Sequence, residues 1–230
     1  MAVACALVAA PASAAIVYEQ NFDSFNPLAP DFTSAYTYYD YIPGAPDDEY
    51  GPPLGLYDES TYGVGTNPAL YHVSWATFGD HTTGTSNMMI INGSKVADVQ
   101  IWSDTVSGLT PGQQYYLSAW MTSVYPQTGQ NPIAPAVLAF SIDGVQLGVD
   151  ITLSDPVGTW RQFYVPWIAD ADGTANMSVI NRNTKYDGND FAIDDIFLDQ
   201  GENIVPVPGA IVLGMIGTGL VGWARRRRVV

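Results

Sequence analysis

Residues 115–125 read YYLSAWMTSVY. The odd positions Tyr115, Leu117, Ala119 and Met121 are mostly apolar, while the even positions Tyr116, Ser118, Trp120 and Thr122 set aromatics between hydroxyls. A period of two is the mark of a strand with one face in a core. The same alternation places Ala175, Met177 and Val179 inside, opposite Asn176, Ser178 and Ile180, and makes Leu138, Phe140 and Ile142 another inward set. Turn chemistry separates such runs at Asn92-Gly93, Pro111-Gly112, Asp143-Gly144, Asp172-Gly173 and Asp187-Gly188. Nine strands are expected, at 16–20, 70–77, 87–91, 99–103, 115–125, 136–142, 159–168, 174–181 and 190–198. With no helix between them they specify an all-β fold, an antiparallel β-sandwich, and not a βαβ fold.

The composition agrees. The chain has 230 residues with 22 Gly, 16 Pro and 14 Tyr, which suits a turn-rich β protein of one domain. All 23 acidic residues lie between Glu19 and Glu202, against Lys95, Arg161, Arg182 and Lys185. Such a body repels phosphate backbones and anionic lipid, so nucleic acid is excluded as a partner. Residues 26–68 differ from the rest in their Pro, Gly, Tyr and Asp content. They are expected to be a long insertion wrapped on the sandwich, with one or two short edge strands.

Both ends carry processing signals. Residues 1–14 are expected to be a signal peptide, with Ala12-Ser13-Ala14 as an A-x-A cleavage site. Cys5, the one cysteine, falls within it, which leaves the body neither disulfide nor thiol chemistry. At the other end Val205-Pro206-Val207-Pro208 precedes an uncharged run over 209–224, then Arg225-Arg226-Arg227-Arg228. Sixteen residues of helix rise roughly 24 Å against a ~30 Å hydrocarbon core, a marginal span suited to transient retention. The arginines would hold the C-terminus in the cytoplasm. This end resembles the PEP-CTERM class of sorting signals in its VPLPA-like variant, with Val207 where the name-giving motif has Glu. The resemblance implies a Gram-negative bacterium, an exosortase-type processing enzyme, export through the inner membrane with a transient C-terminal hydrophobic helix over 204–230, and delivery to the cell surface or its extracellular matrix. The alternative is a plain C-terminal membrane anchor.

Over 15–203 a second resemblance is carried by four segments: Tyr18-Glu19-Gln20-Asn21-Phe22-Asp23; Gly79-Asp80-His81-Thr82-Thr83-Gly84 leading to Asn87-Met88-Met89; Leu109-Thr110-Pro111-Gly112-Gln113-Gln114-Tyr115-Tyr116; and Asn189-Asp190-Phe191-Ala192-Ile193-Asp194-Asp195-Ile196. These are similar to the galactose-binding-domain-like jelly rolls that include many non-catalytic carbohydrate-binding modules. The resemblance implies a structural calcium tying the first and last strands, with Asp23 and Asp194 as ligands. Asp194 shares strand parity with Ile196 and Leu198 and is expected to point inward, where a carboxylate needs a cation or donors. Amide capping without metal is the competing reading.

The face carrying Tyr116 and Trp120 has what a sugar platform needs, aromatic planes flanked by polar groups. Packing of Trp120 beneath the insertion is the alternative. Tyr36, Tyr38, Tyr39 and Tyr41 either contact a ligand or cover the sandwich. No G-x-S-x-G, H-E-x-x-H or G-x-x-x-x-G-K-[ST] motif occurs. Of the two histidines, His72 is expected inside a strand and His81 in a loop it helps to fix. These readings lead to a non-catalytic exported protein binding neutral carbohydrate, with a structural or adhesive matrix protein without a small ligand as the alternative.

Overall fold

The computed structural model describes residues 15–41, 55–185 and 188–201. Its strands are β1 (Ile16–Gln20), β2 (Thr37–Tyr38), β3 (Thr61–Gly65), β4 (Met88–Asn92), β5 (Val99–Ser107), β6 (Gln114–Ser123), β7 (Val137–Ile142), β8 (Val145–Thr152), β9 (Arg161–Ile168), β10 (Thr174–Asn181) and β11 (Phe191–Asp199). One sheet runs β2-β3-β4-β11-β6-β9 with β1 also on β11, and the second runs β5-β10-β7-β8. Every pairing is antiparallel except β2 with β3. After β3 the chain passes back and forth between the sheets, which gives the two-sheet sandwich its jelly-roll character.

The alternating residues do what their period requires. Tyr115, Leu117, Ala119 and Met121 of β6 meet Leu138, Phe140 and Ile142 of β7 and Ala175, Met177 and Val179 of β10 in one buried core between the sheets. A second cluster lies on the outer face of the larger sheet, where Leu56, Tyr71, Trp75 and Val124 bury Met88, Ile90 and Ala192. Strand β4 is therefore covered on both faces, and its sequence MMIIN runs apolar without alternation. Gly63 and Gly65 leave the space that the Tyr71 ring fills, since a Cβ at either would strike it.

The described part of the insertion packs on both clusters: Leu56, Tyr39 and Tyr41 join the outer one, and Phe32, Tyr36, Tyr38, Tyr62 and Val64 join the core between the sheets. It contributes the short strands β2 and β3, and Thr33 bridges to Ser103 of the opposite sheet. Tyr36 is buried, and its hydroxyl accepts from the Ser94 amide. Tyr38 packs between Phe25 and Tyr62, and Tyr41 lies against Tyr71. Tyr36 and Tyr38 thus cover the main core and Tyr39 and Tyr41 the outer cluster, which is the covering role among the two readings their sequence left open.

Two strand assignments are corrected. Residues 70–77 form no strand: Asn67 caps a 3₁₀ turn over Pro68–Leu70, with its side chain accepting from the Ala69 amide, and His72 follows in the turns beyond. The proline and its capping asparagine outweigh the apolar content of the run. Conversely, Val145–Thr152 is a strand that sequence reading passes over. As an edge strand it buries little, and Gly148 and Asp150 interrupt its alternation. Among the described residues no helix is long and apolar enough to cross a membrane. The expected leader with Ala12 and Ala14, and the expected tail from Val205 to Arg228 with its hydrophobic helix, lie outside the described residues.

Candidate ligand cleft on the outer face of the larger sheet

Strand β11 changes partners halfway. Phe191–Ile193 pair with β4, whereas residues 196–199 pair with β1. Between them the register against β6 slips, so that Asp194 opposes Trp120 and Phe197 opposes Ser118. Asp195 sits at φ 49°, the left-handed region that Asp tolerates better than most residues. This is a β-bulge, and it reverses parity: Phe191 and Ile193 face the core before it, Ile196 and Leu198 after it. Asp194 therefore lies on the outer face with Ala192, which corrects the expectation that it points into the core with Ile196. The inserted residue is invisible to a strict count of two.

Asp194 is nonetheless only 1% exposed, because the loop over 78–87 lies across it. The loop is closed at its neck, where a Cβ on Gly79 would strike the Gly84 carbonyl. Asp80 organises it from within, accepting from the amides of Thr83 and Ser86, both at 2.7 Å, and from the Thr83 hydroxyl at 3.0 Å. The bulge then pins it from below. The His81 amide donates to Asp194 Oδ2 at 3.0 Å, His81 Nδ1 lies 2.7 Å from Asp195 Oδ2, and the Thr82 hydroxyl donates to the same oxygen at 2.5 Å. Asp23 accepts from the Asn87 amide at 3.2 Å, and Trp160 Nε1 donates to the Gly79 carbonyl at 3.1 Å. So fixed, the His81 ring lies flat on Trp120, with centroids 3.6 Å apart and planes 15° apart.

A cleft of about 330 Å³ opens beside this stack. Ile16, Glu19, Asn21 and Asp23 form one wall, Asp80, His81 and Thr82 another, and Trp120, Gln162, Phe197 and the two bulge aspartates line the rest. Burial, and then the neighbouring Asp195, push the Asp194 carboxyl up to about 8, against the amides of His81 and Asp195. This shift favours the protonated carboxyl. Asp80 behaves oppositely: burial raises it, but its hydrogen bonds to Thr83 and Ser86 together hold it below its ordinary value.

Three residues singled out from sequence, Trp120, Asp23 and Asp194, line this one cleft. Tyr116 does not join them. It lies four positions along β6, about 13 Å away at strand rise, on the same outer face, with Tyr164 at 6.4 Å and the Gln114 amide donating to its hydroxyl. One face of Trp120 is covered, though by His81 and not by the insertion. Sequence reading missed Asp195, Gln162 and Glu19 as cleft residues. Adjacent acids in Ile193-Asp194-Asp195-Ile196 were the available sign of a bulge.

Asp23 and Asp194 were expected to share a calcium ion. Both lie in the cleft, yet both Asp194 oxygens and one Asp23 oxygen accept from backbone amides. Among the described residues no group of three or more His, Cys, Asp or Glu is placed to hold a metal ion.

No family model matches the chain, and no curated protein matches it either. Solved structures do. The chain is similar to the Stig cyclase Fisc from Fischerella sp. TAU at 13% identity, covering 81% of this chain and 98% of that one, with a TM-score of 0.50. It is also similar to the CBM22-1 xylan-binding domain from Paenibacillus barcinonensis Xyn10C at 11% identity, covering 83% and 97%, with a TM-score of 0.46. A sugar-binding protein, the EclA C-terminal domain, matches at 20% identity over 44% of this chain and 67% of that one, with a TM-score of 0.39. At these identities the Stig cyclase likeness concerns the fold alone.

Proposed function

We propose that this protein binds neutral carbohydrate, without chemical turnover, in the cleft at the β11 bulge. The observation that carries this reading is the cleft's composition: an indole–imidazole stack beside amides, a hydroxyl and carboxyl groups, on the half of the outer face that the insertion leaves open. Sugar rings present apolar C–H faces to aromatic planes and hydroxyls to mixed donors and acceptors, and the cleft offers both. Tyr116 and Tyr164, further along the same face, extend the surface for a longer chain. A glycan array with the full chain, followed by calorimetry on any hit, tests the reading: saturable binding of one neutral sugar class supports it, and a blank array from folded protein moves the assignment to a structural matrix role.

The same proposal includes delivery. The A-x-A site at Ala12 to Ala14, the Val205 to Pro208 motif, the apolar run over 209–224 and Arg225 to Arg228 support export and exosortase-type sorting in a Gram-negative bacterium, with the acidic body presented to the cell surface or matrix. Mass spectrometry of the mature protein's two ends tests it. Ends at Ala15 and within 205–228 are expected, and an intact C-terminus would leave a plain anchor.

A further inference from the structure

A second cavity, of about 210 Å³, opens on the outer face of the larger sheet near the start of β11. Its walls include a run of rings. His72 lies 5.0 Å from Trp75 with planes 27° apart, and Tyr57 lies 4.5 Å from His72 on the other contact. Tyr125, Ser74, Glu59 and Asp190 line it as well.

The rings are held by the fold and not by chance contact. Trp75 is buried, and its Nε1 donates to Asp190 Oδ2 at 3.1 Å, while the Gly93 amide donates to the other oxygen of Asp190 at 3.2 Å. His72 accepts from the Ser74 amide at its Nδ1, 3.1 Å away, so the ring proton resides on Nε2. Burial holds this imidazole below its ordinary value, which keeps it neutral at physiological pH. The cavity thus combines flat apolar surface with an N–H donor, three hydroxyls that give and take, and two carboxyl groups, of which Asp190 is fixed in place.

We propose that this cavity is a second binding site, for a neutral hydroxylated ring such as a single sugar unit. Its aspartate and the chain's net charge of −15 disfavour an anion. Its rings and donors suit a hydroxylated ring better than a bare cation, because both Asp190 oxygens are already taken by Trp75 and Gly93 and, among the described residues, no group of three or more His, Cys, Asp or Glu is placed to hold a metal ion. The chain runs from Asp190 in this cavity, immediately before β11, along that strand to Asp194 in the first cleft, a rise of about 13 Å. The chain from His72 to His81 connects the same two places. One polysaccharide strand can then be held at two points, which multiplies its residence without any new contact.

The chain has two histidines, one at each place, and this makes the test direct. The full-length protein, labelled at histidine, is titrated with xylotriose, cellotriose and maltotriose while both imidazole signals are followed by NMR. With a trisaccharide that binds, the His72 signal is expected to move and saturate on its own curve. Tyr57→Ala is expected to weaken that curve at least tenfold, and the milder Ser74→Ala severalfold, with the His81 curve unchanged. A His72 signal that stays still while His81 responds overturns the second site and leaves the first. A response at His72 alone supports the second site and removes the first. Stillness at both, or a His72 curve unaffected by either variant, overturns this inference.

Discussion

The imidazole of His81 lies on the indole of Trp120 at 3.6 Å, and both ends of that relationship are set elsewhere. Trp120 is placed by β6, opposite Asp194, and His81 is placed by the two aspartates of the β11 bulge. Replacing Trp120 with Ala removes a cleft wall and the ring that His81 rests on. Glycan affinity is expected to fall at least tenfold in calorimetry, with a stability loss of about 1 kcal/mol or more from the stack in urea unfolding. Unchanged affinity would remove Trp120 from the site.

Asp194 makes stability depend on pH in a particular direction. Its folded value of about 8 lies above the ordinary 3.8, so the folded state binds the extra proton between these limits. Its contribution is fully present below pH 4 and is lost as pH rises through 8. Melting temperature should fall from pH 5 to pH 9, and Asp194→Asn should flatten that slope. Asp80, held below its ordinary value, acts oppositely and only at acid pH. A slope unchanged in the Asn variant would assign it to another group.

The loop over the bulge depends on Asp80. Its carboxylate takes two amides and a hydroxyl, and charged hydrogen bonds of this kind contribute about 1.5–3 kcal/mol each. Asp80→Ala should accelerate hydrogen exchange at the Thr83 and Ser86 amides while core amides of β6 and β10 stay protected. Protection unchanged at Thr83 would show that Gly79 and Trp160 hold the loop without it.

Gly63 illustrates packing on the outer face. A methyl group there has nowhere to go, because the Tyr71 ring occupies the space and is itself buried, with its hydroxyl donating to the Val64 carbonyl at 2.8 Å. Gly63→Ala is expected to cost about 1–3 kcal/mol, the usual penalty for overpacking, in urea unfolding. A neutral result would mean that Tyr71 relocates, which its circular-dichroism band in the near ultraviolet would report.

Calcium offers a clean comparison. With the Asp194 oxygens engaged by amides, melting with added calcium and with chelator should agree. A rise of several degrees with calcium would restore the expected site at Asp23 and Asp194.

The sandwich was legible wherever strands alternate without interruption. Tyr115 to Met121, Ala175 to Val179 and Leu138 to Ile142 each identified their core face, and Ile16–Gln20 and Thr174–Asn181 matched to the residue. Legibility failed where something other than alternation governed. A capped proline turn displaced the strand expected at 70–77, an exposed edge hid β8, and a single extra residue at Asp194-Asp195 reversed the parity of the second half of β11. The cleft was half legible. Asp23 and Asp194 were named together as calcium ligands and Trp120 separately as a sugar platform, and the convergence of Trp120 with the two aspartates depends on the bulge and on a loop folding back over a distance that no local pattern records. Tyr116 shared the face but not the cleft, because four residues of strand separate them.

The partner change along β11 has a consequence for how the chain acquires its structure. Strand β1, the first described strand, pairs only with β11, the last: Gln20 opposes Ile196 and Glu19 opposes Phe197. The earliest of these strands to leave the ribosome has no place in the sheet until the latest has arrived. Closure across so long a stretch of chain is slow, as non-local pairing is in general. The wall that β1 and the residues after it give to the cleft, from Ile16 to Asp23, therefore closes only once β11 is in place, and β6 and β10 can pair with their other neighbours before it does.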